Sequence, residues 1–208
     1  HREGGGQHPA QERGGGKVTQ LVSAPPETTT VHVRCVTLSE TEAAAESLKR
    51  AARGECVLWI RNTVAEAQAA MKLLRSDRCG DSLEIAALHS RFPFFRRERL
   101  ERFWLNRLGK NPRRRPRGCV LVATQVVEQS VDIDADFLLT DLAPTDMLLQ
   151  RIGRLWRHQS RPEVAARRPA SAKREVWVNH PDLSDAADEK ALKAALGRSA
   201  WVYAPYVL

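Results

Sequence analysis

Three short runs constrain this chain more than any other feature: CVLWI at 56–60, CVLVAT at 119–124 and DFLLTD at 136–141. Each is apolar through its centre and too short for an ordinary helix. Continuous hydrophobicity, in place of alternation, is what a strand needs when both of its faces are covered. The stretches between them carry helical periodicity. Strands that alternate with helices form βα units, hence a mostly parallel sheet with helices on both faces. The expected fold is therefore a three-layer α/β domain. Ligands in such sheets bind beyond the carboxyl ends of the strands, which directs attention to residues 61–63, 89–91, 124–134 and 141–146.

The remaining elements follow the same logic. VHVRCVTL, from Val31, alternates and reads as a strand. SETEAAAESLKRAARG reads as a helix, with Ser39 as N-cap, Glu42 as its capping-box partner and Gly54 just past the end. A second helix is expected from about Thr63 to Leu74, and EIAAL (84–88) as a strand. FFRRERLERFWLNRLG is a basic amphipathic helix stopped near Gly109, and NPRRRPRG (111–118) a charged loop. Pro144 and Thr145 begin a helix that carries QRIGRLWRH (150–158). EVWVN (175–179) is a last strand, and Asp185 to Leu196 a last helix. Residues 1–30, with two GGG runs and few apolar side chains, read as a flexible linker or insertion holding a possible strand from Val18 to Val22. The domain proper is expected over 31–180, with 181–208 beginning a C-terminal extension.

Charge narrows the partner class. Lys and Arg number 33 against 25 acids, a net charge of +8, which favours polyanion partners, most often nucleic acid, against the alternative of a basic but otherwise ordinary surface. The four cysteines form no CxxC pair, and Cys56 and Cys119 open apolar runs as buried strand thiols. A reducing, cytoplasmic setting is the simplest expectation. No stretch approaches the length of a membrane span, so no membrane partner is expected. The first residue is His1 and not Met, as expected of a piece of a longer chain.

In QRIGRLWRH the arginines Arg151, Arg154 and Arg157 recur every third residue. On a helix they would share one broad face, where like charges repel unless an anion or a carboxylate neutralises them. Two readings fit: a solvated stripe paired with surface acids, or a triphosphate clamp built from rigid guanidinium forks. ATQVVEQSVDID (123–134) places Thr124, Gln125, Gln129 and Ser130 at a strand's carboxyl end, with the acids Glu128, Asp132, Asp134 and, just beyond, Asp136. Those acids suit a magnesium site or, more commonly, caps and turns. The basic helix and its neighbours Phe92, Phe94, Phe95, Phe103 and Trp104 fit either a stacking surface for nucleic acid or core aromatics beneath a solvated arginine face.

Taken together, these segments resemble a known family. ATQVVEQSVDIDADFLLTDLAPTDMLLQRIGRLWRH is similar to motifs V and VI of superfamily 2 helicases, and QRIGRLWR to their Q-R-x-G-R-x-x-R. VLWIRNTVAEAQ (57–68) resembles motif IV, and LHSRF (88–92) the strand end and loop that follow it. EQSVDID, DLAPTDMLLQR and GRLWRH narrow the resemblance to the helicase-nucleases of type I CRISPR systems. The resemblance implies the second RecA-like domain of an ATP-dependent single-strand DNA translocase that acts in antiviral DNA degradation. By motif position it implies Arg154 and Arg157 as arginine fingers on the ATP phosphates, with Gln150 beside them. Asp132 would face the ribose or those arginines. Arg151 falls in the same nucleotide set, or pairs with an acid across the domain interface. Thr124 and Gln125 would face DNA, as would Asn62, Thr63, His89, Ser90 and Arg91 on strand-end loops. Asn62 and Thr63 fit a plain N-cap equally well. The implied cofactor is ATP with Mg2+, the metal held mainly by the first motor domain. The implied partners are single-stranded DNA, that first RecA-like domain and an HD nuclease domain of the same full-length protein, and an RNA-guided CRISPR surveillance complex.

The chain departs from the complete family pattern. RGGGKV (13–18) lacks the first Gly and the Ser/Thr of a phosphate-binding loop. There is no D-E-x-H/D box and no adjacent His-Asp pair, so no protein metal site is expected and the fragment alone should be inactive. The rivals are another superfamily 2 DNA or RNA helicase domain, and a nucleic-acid-binding module without ATPase chemistry.

Overall fold

The computed structural model describes residues 29–77, 83–129 and 131–203. The strand expected over 18–22 and most of the expected linker lie outside these residues. Six parallel strands form one sheet in the order β1-β6-β5-β2-β4-β3. They are β1 (His32–Val36), β2 (Cys56–Ile60), β3 (Glu84–Leu88), β4 (Cys119–Ala123), β5 (Phe137–Asp141) and β6 (Glu175–Asn179). The helices are α1 (Glu40–Ala52), α2 (Val64–Asp77), α3 (Phe94–Leu108), α4 (Val126–Gln129), α5 (Thr145–Ile152), α6 (Pro162–Ala165), α7 (Glu189–Leu196) and α8 (Ser199–Val202).

The apolar runs explain the layers. Side chains alternate across a strand, so each run feeds two cores. Cys56, Leu58, Ile60, Leu121 and Leu138 face α3 and the segment after α4, against Trp104, Leu108 and Ile133. Val57, Trp59, Val120, Val122 and Leu139 face α1 and α2, against Ala44, Ala70 and Leu74. Cys56 and Cys119 are buried as expected, side by side in register. Ser39 closes the expected capping box on Glu42. At α7 the carboxylate of Asp188 caps the helix, three residues later than Asp185. No helix among the described residues is long and apolar enough to cross a membrane.

The helix expected to carry the three arginines stops early. α5 ends at Ile152 and Gly153 caps it. The chain then turns, Leu155 forms a parallel bridge with Ala135, and Trp156 takes φ 53°. Arg151, Arg154 and Arg157 therefore do not share a helix face. Leu155 and Trp156 supply the reason. Leu155 enters the core, and Trp156 packs on it while its indole donates to the Asp136 carbonyl at 2.9 Å. A straight helix cannot seat both residues against the 131–136 segment.

Gly118, entering β4, has φ +88°, and a Cβ there would lie 1.9 Å from the Ala51 carbonyl oxygen. Gly118→Ala should lower stability by at least about 1–3 kcal/mol from the backbone conformation alone, measured by urea unfolding.

Candidate functional site

The loops beyond the strands are tied together by one side chain. Arg151 is 0% exposed. Its Nε donates to Glu128 Oε1 at 2.7 Å, and Nη1 to Thr140 Oγ1 and the Asp141 carbonyl at 2.8 and 3.1 Å. Its Nη2 donates to Asn62 Oδ1 and the Tyr203 hydroxyl, both at 3.1 Å. A guanidinium has five N–H donors, so none remains for a nucleotide. The acid it pairs with, Glu128, lies within this domain. The assignment of Arg151 to the nucleotide set is corrected on both grounds: it positions the site from inside.

Asn62 and Gln125 belong to the same network. Asn62 Nδ2 donates to the Leu142 carbonyl at 2.7 Å and to Ser199 Oγ at 2.9 Å, while its Oδ1 receives Arg151. Gln125 Nε2 donates to the Asn62 carbonyl at 2.8 Å and to the Tyr203 hydroxyl at 3.3 Å. Thr124 is buried at the end of β4. Thr63 caps α2, accepting from Glu66 N at 3.2 Å while Glu66 accepts from Thr63 N at 3.0 Å. The expectation that Asn62 faces DNA is therefore corrected, because its side chain holds loops together. Thr63 is the N-cap. Of the remaining strand-end residues, Ser90 and Arg91 are exposed, and His89 is buried with its ring stacked on Phe92 at 4.2 Å. Burial, with the nearby Arg91 charge, lowers the His89 pKa.

A second cluster gathers Asp132, Arg154, Arg157 and His158. Arg157 Nε donates to Asp132 Oδ1, and His158 Nε2 lies 3.3 Å from the same oxygen. Arg154, 8% exposed, donates Nη2 to the Glu128 carbonyl, while its Nε is buried without a partner. Among the described residues no carboxylate lies within salt-bridge distance of Arg154. Burial and the Arg157 charge lower the Arg154 pKa, offset in part by Asp132 and Glu128. Arg154 is thus a poorly neutralised, largely buried cation. Gln150 is exposed one turn before it.

The acids of 128–136 are counter-ions, which neither the magnesium nor the capping reading anticipates. Glu128 serves Arg151 and Asp132 serves Arg157, while Asp134 and Asp136 share Arg115 and Arg168. Asp136 also receives Cys56 N at 2.8 Å, fixing the start of β2. The described residues contain no group of three or more His, Cys, Asp or Glu able to hold a metal. Sequence reading missed Tyr203 and Asp141, whose partners are distant in the chain. His158 was readable from its place beside Arg157.

A six-stranded parallel sheet with helices on both faces, and an arginine pair held against the loop after β4, give the chain the architecture of a RecA-like domain. The family described as "CRISPR-associated nuclease/helicase Cas3, C-terminal" matches residues 53–160, and the chain belongs to it. It is 46% identical over 111 residues to the CRISPR-associated nuclease/helicase Cas3 of Streptococcus thermophilus, covering 53% of this chain and 12% of that protein. It is 51% identical over 88 residues to the CRISPR-associated endonuclease/helicase Cas3 of Thermus thermophilus, covering 42% of this chain and 10% of that protein. The crystal structure of T. fusca Cas3-AMPPNP superimposes with a TM-score of 0.71 at 34% identity, covering 85% of this chain and 22% of that one. A chain of a CRISPR RNA-guided surveillance complex, pre-nicking, gives a TM-score of 0.63 at 36% identity, covering 80% of this chain and 20% of that one. The chain thus spans about an eighth or less of these curated relatives.

Two outcomes test this geometry. Arg151→Met should cost about 3–5 kcal/mol, because it leaves Glu128 buried and unpaired; Arg151→Lys should recover only part, lacking the fork. Both are read by urea denaturation. Partial burial alone would raise the Asp132 carboxyl, but the Arg157 hydrogen bond and the His158, Arg157 and Arg154 charges outweigh it and lower the pKa. The stability it contributes is complete above the unfolded value of about pH 4 and is lost as pH falls through the folded value. The melting-temperature gap between the protein and Asp132→Asn should therefore be present near neutral pH and close in strong acid.

Proposed function

We propose that this chain is the second motor half of an ATP-dependent single-strand DNA translocase, within a type I CRISPR helicase-nuclease. The observation that carries this reading is Arg154. It is a buried guanidinium with an unpartnered Nε, no carboxylate within salt-bridge distance among the described residues and a second cation, Arg157, beside it. Such a cation gains most from a phosphate brought to it by another surface. The T. fusca relative is described with AMPPNP, ADP and ATP, which supports nucleotide as the anion.

In this reading Arg154 and Arg157 approach the phosphates of ATP bound on the first RecA-like domain, with Gln150 at the rim. Asp132 holds Arg157 extended until the two domains close. The Mg2+ that accompanies ATP is held mainly outside this chain, since the acids nearest the arginines are already paired. Arg151 keeps the loops after β2, β4 and β5 at fixed spacing, so that closure at the arginines is felt where a strand of DNA crosses. An HD nuclease domain of the same protein and an RNA-guided surveillance complex are the proposed partners.

In the full-length protein, Arg154→Ala should reduce DNA-stimulated ATP hydrolysis by about 10³-fold or more, with unchanged circular dichroism. Turnover within a few-fold of the parent would refute the assignment. The isolated 208-residue chain should hydrolyse no ATP; intrinsic turnover would show that the nucleotide site is complete within it.

A further inference from the structure

Phe95 and Phe103 of the basic helix α3 stand open, 73% and 41% exposed. Beside α3, β3 forms one edge of the sheet, and the two enclose a groove of about 810 Å³. Residues 83–86 line it consecutively. Successive strand residues point to opposite faces of a sheet, so an unbroken run means that the groove follows the strand's edge and not one of its faces. Among the described residues no backbone hydrogen bond outside the sheet reaches residues 84–87. The outward N–H and C=O groups of such an edge are a template for a further strand. The opposite wall is one face of α3. Phe95, Arg99, Phe103 and Arg107 line it four residues apart, in a row that alternates aromatic ring and cation. Residues four apart on a helix rise about 6 Å along its axis, and side chains on one face of a strand recur about every 6.6 Å. A strand laid on β3 therefore meets ring, cation and ring in step with its own i, i+2 and i+4 side chains. Arg107 pairs with Glu84 at 2.7 Å, whereas Arg96 and Arg99 have no ion-pair partner among the described residues. Trp104, also in the lining, is 1% exposed, and its indole N–H is buried without a partner. Two copies of this edge set against each other would bring Arg96 and Arg99 toward their own counterparts, in chains of net charge +8. The edge therefore selects an acidic partner over a second copy.

We propose that this groove docks an extended segment of a partner protein, rich in acidic and apolar residues, which adds a seventh strand to the sheet at β3. Main-chain hydrogen bonds to the free edge supply affinity, and the side chains that face α3 supply selectivity. Apolar residues seat on Phe95 and Phe103, and the carboxylate between them meets Arg99, with Arg96 open to a second acid. The inference goes beyond the motor reading and does not depend on the Arg154 pair.

The test is fluorescence anisotropy of the full-length protein with a labelled peptide, Thr-Leu-Thr-Glu-Thr-Leu-Thr-Glu, whose one face alternates apolar and acidic side chains. Thermal melts check that each variant is folded. The peptide should bind, and its counterpart with lysine for glutamate should bind at least about tenfold more weakly. Arg96→Glu with Arg99→Glu should reverse that preference. Phe95→Ser with Phe103→Ser should weaken binding of the acidic peptide about tenfold or more. Strand pairing uses the N–H groups of alternate residues, so N-methylation of the threonines and N-methylation of the other residues should differ: one abolishes binding and the other spares it. Failure of the parent protein to bind the acidic peptide would overturn the proposal, as would equal affinity for the lysine peptide. Equal binding by the two N-methylated forms would overturn the added strand. Self-association of the full-length protein that Phe95→Ser with Phe103→Ser abolishes would reassign the groove to a second copy. None of these results alters the Arg154 prediction, which is read by ATP turnover.

Discussion

One buried guanidinium sets the geometry on which the candidate site depends. Arg151 directs its five donors to Glu128 on α4, Thr140 and Asp141 at the end of β5, Asn62 after β2 and Tyr203 after α8. Burying such a cation is tolerable only when every donor is matched. The match works in both directions. The loops satisfy the cation, and the cation, with Asn62 and Gln125, fixes the spacing between the loops. Arg61 repeats the arrangement on a smaller scale, bonded to Asp141 and doubly to Glu40.

Charge is segregated by purpose along a short stretch of chain. Asp134 and Asp136 neutralise Arg115 and Arg168 deep in the fold, and Glu128 neutralises Arg151. Arg154 alone of the buried arginines near this loop has no carboxylate among the described residues. The excess positive charge of the chain is thus not spread evenly. It is cancelled in the interior and left uncancelled at Arg154 and along the β3 edge.

The layers were readable in the sequence because the fold rests on strong local signals. CVLWI and CVLVA are buried at every position, and the capping box at Ser39 forms as read. QRIGRLWR carried the family, but it did not carry local geometry. Its arginine spacing implied a helix, whereas Leu155 and Trp156 turn the chain to reach a segment twenty residues away in sequence. Likewise Asn62 reads as a strand-end ligand until its partners, Arg151 and Ser199, are known. Pairings between distant residues leave no periodic trace. Glu128, Asp134 and Asp136 looked like metal ligands or caps because sequence shows the carboxylates without the arginines opposite them; for Asp132 the family resemblance named the arginines as one of two partners.

The early end of α5 has a mechanical consequence. On a continuous helix the three arginines would move together as a rod. Here one is locked in the core, the next is held by a single carbonyl, and the last is 42% exposed on a turn. Restraint therefore falls over seven residues, from an anchor with five bonds to an exposed tip held by Asp132 and the Gly153 carbonyl. Arg157 can swing toward an approaching charge while Arg151 keeps the sheet's loops still. Exchange of Asp132 for another anion would need only the Arg157 side chain to move, not the sheet or the loops that Arg151 ties.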